Sequence, residues 1–277
     1  MMNADKNNLR LAVLIDADNT FKVIDIIDEL FEEITIFGDA SIRRIYGDWT
    51  ETRLNRWKEV LPKHAIQPIQ QYANTKGKNS TDSALIIDAM DLLYNAPLDG
   101  FCIISSDSDF TRLAIRFRES GKLVYGFGEE KTPESLRAAC NQFIYFEILL
   151  QNKAIDMNIT NPNVATTLPT IHRAVTEAKP ANASSSEETK LVPVAKKTSQ
   201  QLAMDAKLVS LIRSAIEALS EDDGYAHMGE VKSHIVKNFS AFDSRNYGYP
   251  KFSDLINTIG LFELDAQKQR IRDKRKK

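Results

Sequence analysis

"IISSDSDF" (residues 103–110) opens as a buried strand and closes on Asp107 and Asp109, two acids where a strand should give way to a helix. Charges that close repel, so the pair needs something positive between them. Upstream, "LAVLID" (11–16) follows the same plan. It is a continuous apolar run, the mark of a strand covered on both faces, and it too ends in an acid. "IRRIYG" (42–47), "AIQPIQ" (65–70), "FCIISS" (101–106), "LVYGFG" (123–128) and "QFIYFE" (142–147) complete the candidate strands. Amphipathic stretches at 20–36, 52–61, 81–95, 110–120 and 133–140 lie between them. This alternation predicts an α/β domain, a central parallel sheet flanked by helices. Pro68 weakens the third strand, because proline removes a ladder donor.

The 277 residues suit one medium domain and something smaller. A hydrophobic content of 43% leaves material for a core, and a net charge of −2 excludes a global basic field, so any polyanion contact must be local. Cys102 and Cys140 lack zinc spacing and sit among apolar residues, as buried reduced thiols do. No run approaches the roughly 20 apolar residues of a membrane span. A soluble, cytoplasmic protein without membrane contact is expected. From 151 to 203 the chain is rich in Pro, Ser, Thr, Ala and Asn without apolar period, which reads as a flexible linker. Beyond it, "LVSLIRSAIEAL", "MGEVKSHIVKNF" and "YPKFSDLINTIG" predict helices and "LFELD" a short strand: a small winged-helix-like domain on a tether.

In an open parallel sheet, function gathers at the carboxyl ends of the strands. Asp16 and Asp18 end the first strand, Asp107 and Asp109 follow the fourth, and Asp82 opens the helix after the third. Asp88, about 9 Å further along that helix, should lie off the site. Alone, Asp82 suits a helix first turn and Asp109 an N-cap. Their convergence from separate segments points instead to a hard divalent cation, Mg²⁺ or Mn²⁺, which takes oxygen ligands and supports phosphodiester hydrolysis. Asn19 is placed to orient a carboxylate or a water. Lys76 and Lys78, flanking Gly77, and Arg112 are candidates for guiding an RNA backbone to the rim, and Trp49 for stacking a base.

"LAVLIDADNT", "KGKNSTDSALIIDAMDLLY" and the segment from "IISSDSDF" to "NQFIYF" resemble, in order and distance, the NYN domain in its LabA-like branch, over residues 9–150. That resemblance implies a PIN-like Rossmannoid fold and metal-dependent ribonuclease chemistry, with Asp16, Asp82, Asp107 and Asp109 as metal-binding acids and Asn19 as the motif asparagine. The chain departs from the family in having Asp18 where Gly is frequent, and Asn141 where Asp is frequent. "FDSRNYGYPKFSDLI" and "GLFEL" resemble the LOTUS (OST-HTH) domain over 204–275, which implies RNA binding or protein docking. Arg245, Tyr247, Tyr249 and Lys251 mix cations with aromatic faces, as stacked bases and phosphates require. The tail "KQRIRDKRKK" reads as a solvated end that contacts a polyanion. The expectation is a Mg²⁺- or Mn²⁺-dependent endoribonuclease with an RNA-binding LOTUS domain. The alternative is a non-catalytic RNA-binding regulator that uses the acids for metal-assisted docking.

Overall fold

The computed structural model describes residues 9–72, 80–150 and 194–275. Six strands form one parallel sheet: β1 (Arg10–Asp16), β2 (Asp39–Gly47), β3 (Gln67–Gln70), β4 (Gly100–Ile104), β5 (Leu123–Gly128) and β6 (Gln142–Tyr145). Their spatial order is β3-β2-β1-β4-β5-β6, and every pairing is parallel. The order reverses between β1 and β4, the switch point where such sheets open a crevice at their carboxyl ends. All five residues of β4 are buried, as the uninterrupted apolar run requires.

Helices α1 (Ile27–Thr35), α2 (Trp57–Val60), α3 (Ser80–Asn95), α4 (Thr111–Glu119) and α5 (Glu134–Ala139) cover the faces, and α6 is described over 146–150. In α3, Leu85, Ala89, Leu92 and Leu93 recur at helical spacing and are buried against the sheet. Two expected helices are shorter than their patterns. Residues 21–26 form a 3₁₀ turn before α1, and 52–54 another before α2. Pro68 is tolerated in β3 because β3 is an edge strand. Cys102 and Cys140 are buried free thiols. No helix among the described residues is long and apolar enough to cross a membrane.

The second unit begins earlier than its sequence suggests. Helix α7 (Ser199–Met204) opens with a full capping box between Thr198 and Gln201 and buries Leu202, so residues 198–203 belong to this domain and not to the linker. The rest of the expected linker, 151–193, lies outside the described residues. Helices α8 (Ala206–Leu219), α9 (Met228–Asn238) and α10 (Phe252–Ile259) pack with a three-stranded antiparallel sheet of order β7-β9-β8. Its strands are β7 (Ala226–His227), β8 (Phe262–Leu264) and β9 (Arg270–Asp273). The expected solvated tail is thus partly a central strand. Ile271 is fully buried, Arg270 pairs with Glu221 and Asp223, Arg272 with Glu263, and Arg275 with Asp273.

The two units meet directly. Arg245 reaches α1 with both terminal guanidinium nitrogens, donating to the Glu33 carboxylate at 2.8 and 2.7 Å, and it also holds Asp243. The Phe143 N–H of edge strand β6 donates to the Ser240 carbonyl at 2.9 Å, and the Ser240 hydroxyl donates to the Arg137 carbonyl. Ala241 is buried in the core of the larger domain, and Phe239 packs against the cores of both. An edge strand whose donors would otherwise face solvent is therefore covered by the neighbouring domain.

Candidate metal and RNA site

Asp16 ends β1 fully buried. Its Oδ2 accepts from Asn19 Nδ2 at 2.7 Å and from Ser105 Oγ at 2.8 Å, and its Oδ1 from the Asp18 N–H at 3.1 Å. Burial raises its pKa, and the bonds from Asn19 and Ser105 hold part of that rise back. Ser105 in turn accepts the Asp107 N–H at 3.0 Å, which ties the end of β4 to the end of β1 across the switch point. Sequence reasoning passed over Ser105. Its signal was a polar residue closing an apolar strand between two acidic segments.

Asp107, and not Asp109, is the cap of the short turn that follows β4: its side chain accepts the Asp109 N–H at 2.9 Å. Asp82, in the first turn of α3, comes to the same place. Asp82, Asp107 and Asp109 can each offer an oxygen within 4.8 Å of the others. Asp16 is outside this trio, but its charge acts on Asp82. Burial, then the charges of Asp16, Asp107, Asp18 and Asp109, push the Asp82 carboxyl up to about 6. Hard oxygen donors gathered this closely fit a small divalent ion, which needs only one or two direct carboxylates. Asp88 is off the site, bound by Arg44 and Tyr46.

Rim cations that the sequence reading missed are Arg53, paired with Asp18 at 2.9 Å, and Lys22, paired with Glu129 at 3.0 Å. Arg112 is exposed beside the acids and has no ion pair among the described residues. Lys76 and Lys78 lie outside the described residues. Trp49 donates its indole N–H to the Ile69 carbonyl and packs against the core, which suits a packing role.

The smaller domain departs further from expectation. Arg245 is not presented to a phosphate. Burial disfavours its charge, but Glu33 and Asp243 outweigh that and hold the guanidinium well above the ordinary arginine range. Tyr249 is only 4% exposed and donates its hydroxyl to the Lys197 carbonyl at 2.7 Å. Lys196 lies 4.9 Å over the Tyr249 ring and Lys197 4.8 Å over that of Tyr247, so the chain's own cations already cover the aromatic faces expected to stack bases. Burial pushes the Tyr247 hydroxyl up to about 12. Lys251 alone of these four is exposed and without an ion pair among the described residues.

The family model of the NYN domain matches residues 10–150, half of the chain. The chain belongs to the NYN family. The acid rim therefore sits in an NYN (PIN-like) domain, at the switch point of its sheet. The OST-HTH/LOTUS domain model matches residues 203–270. An uncharacterized protein of Methanocaldococcus jannaschii is 30% identical over 129 residues, 45% of this chain and 50% of that protein, so the chain spans about half the length of this curated relative. A solved structure of a protein of unknown function from Vibrio parahaemolyticus aligns with a TM-score of 0.43 at 16% identity, covering 52% of this chain and 96% of that one.

Proposed function

We propose that this NYN protein is a Mg²⁺- or Mn²⁺-dependent endoribonuclease whose LOTUS domain helps to hold the RNA. The observation that carries this reading is the convergence of Asp82, Asp107 and Asp109, with Asp82 pushed up to about 6 by burial and by neighbouring acids that include the buried Asp16. Asp82, Asp107 and Asp109 are the residues that would hold the ion, with Asp16 as a fourth acid whose charge acts on Asp82. A divalent ion bound there supplies the Lewis acidity that activates water and offsets phosphate charge. The protein's own contribution is positional. Asn19 and Ser105 fix the Asp16 carboxylate, Ser105 fixes the Asp107 backbone, and Arg112 offers a cation to the phosphate flanking the scissile bond. Lys76 and Lys78, which precede α3 in the sequence, supply further charge.

The test is incubation of the purified full chain with labelled single-stranded RNA in Mg²⁺, in Mn²⁺ or in EDTA. Internal cleavage that requires metal and disappears in Asp107→Asn supports the reading. RNA binding without cleavage in either metal replaces it with the non-catalytic regulator.

A further inference from the structure

Between the two domains lies a cleft of about 380 Å³, lined from the NYN side by Arg118, Glu134, Arg137 and Asn141 and from the LOTUS side by Lys237 and Asn238. Arginines elsewhere are commonly matched to carboxylates, as Arg44 is to Asp88, Arg53 to Asp18, Arg245 to Glu33 and Arg272 to Glu263. The cations of the cleft are not. Among the described residues, Arg118 donates only to the Ala138 and Ala139 carbonyls, at 3.3 and 3.4 Å. Arg137 donates to the Tyr145 hydroxyl, and its buried Nε has no partner among the described residues. Lys237 makes no ion pair among the described residues. Neutral acceptors thus hold the two guanidiniums without cancelling their charge. Asn141 gives its oxygen to the Val124 N–H at 2.8 Å, so what it has left to offer is its amide donors. Glu134 is the one carboxylate among the lining residues, against three cations.

Fixed, uncancelled positive charge with spare donors is the chemistry that recognises phosphate. Arg118 stands seven residues beyond the start of α4, about 10 Å along the axis from the acid rim. Single-strand footprints of about 4–16 nucleotides are long enough to span that distance. Neither domain alone forms the cleft.

We propose that this interdomain cleft binds the phosphodiester backbone of single-stranded RNA, with Arg118, Arg137 and Lys237 as the groups that meet phosphate. The proposal rests on the ribonuclease reading for its choice of RNA, but its test does not need cleavage. Binding of a labelled oligoribonucleotide by the full chain is measured in EDTA across a salt series, for wild type, Arg118→Gln, Lys237→Ala and the double variant. Each phosphate that is no longer neutralised reduces the slope of log affinity against log salt by about 0.7. The single variants should each show that reduction, the double variant about twice it, and Glu134→Gln should bind more tightly at low salt. Melting temperatures close to wild type show that the variants fold. Wild-type slopes in both single variants overturn the proposal. So does weakened binding of inorganic phosphate, or of polyglutamate, with the RNA slope unchanged, since the cleft then serves a free anion or an acidic protein. Altered slopes in a protein that never cleaves RNA leave the cleft standing and remove the nuclease reading. Unaltered slopes in a protein that cleaves do the opposite.

Discussion

Asp82 carries a consequence that can be read in the absence of any substrate. Its carboxyl is raised to about 6 in the folded chain, above the roughly 3.9 of an unfolded aspartate. A group raised in this way favours folding in its protonated form, and that contribution is lost as pH rises through about 6. In EDTA the melting temperature should therefore rise from pH 7 to pH 5, and the rise should shrink in Asp82→Asn. An unchanged rise in that variant would mean other groups cause it. Divalent ion should reverse the penalty at pH 7, because a ligand that binds only the folded state stabilises it, by about 2.7 kcal/mol at a hundred times Kd. Asp107→Asn should lose most of that stabilisation while keeping its cap on the Asp109 N–H, and a full metal-induced shift in this variant would place the ion elsewhere. These acids were legible in the sequence because each closes a strand or opens a helix, where the sheet's geometry fixes its destination. Arg245 was not. Its partner Glu33 is 212 residues away, and no local pattern announces such a pair.

Among the elements, the central strands announced themselves through unbroken apolar runs, whereas β9 was obscured by its own charges. "RIRD" alternates, and the alternation buries Ile271 and Asp273 while Arg270 and Arg272 reach acids on either side. Counting charge pointed to a solvated tail, and the period-two pattern pointed to a strand. Helix α7 was missed for a different reason: its capping residues are polar and it contributes one fully buried side chain, Leu202. The turn that receives the segment before α7 depends on Gly248. Its φ is +82°, and a Cβ there would lie 2.4 Å from the Lys196 Cα. Gly248→Ala should therefore destabilise the LOTUS domain by roughly 1–3 kcal/mol in urea unfolding. It should also leave the metal-induced shift of the NYN domain intact, so a loss of that shift would mean that the damage spreads across the interface.

At the scale of the whole molecule, the interface makes the domains interdependent despite the long connection. Arg245→Ala would leave Glu33, only 5% exposed, without its cation, and removing one partner of such a pair typically costs roughly 3–5 kcal/mol. Full-chain urea unfolding should show a loss of that order, while Arg245→Ala combined with Glu33→Gln should recover much of it. Failure of the second change to restore stability would show that Arg245 acts through Asp243 instead. The strand order has a temporal consequence as well. Asp16 is joined to Ser105 across 89 residues, because β4 and not β2 completes the inner side of β1. At synthesis rates of about 5–20 residues per second, roughly 5–20 s separate the emergence of one from that of the other. For that interval the growing chain carries its first strand with one edge unpaired, and a ribosome stalled before residue 105 holds an aspartate whose place at the rim does not yet exist.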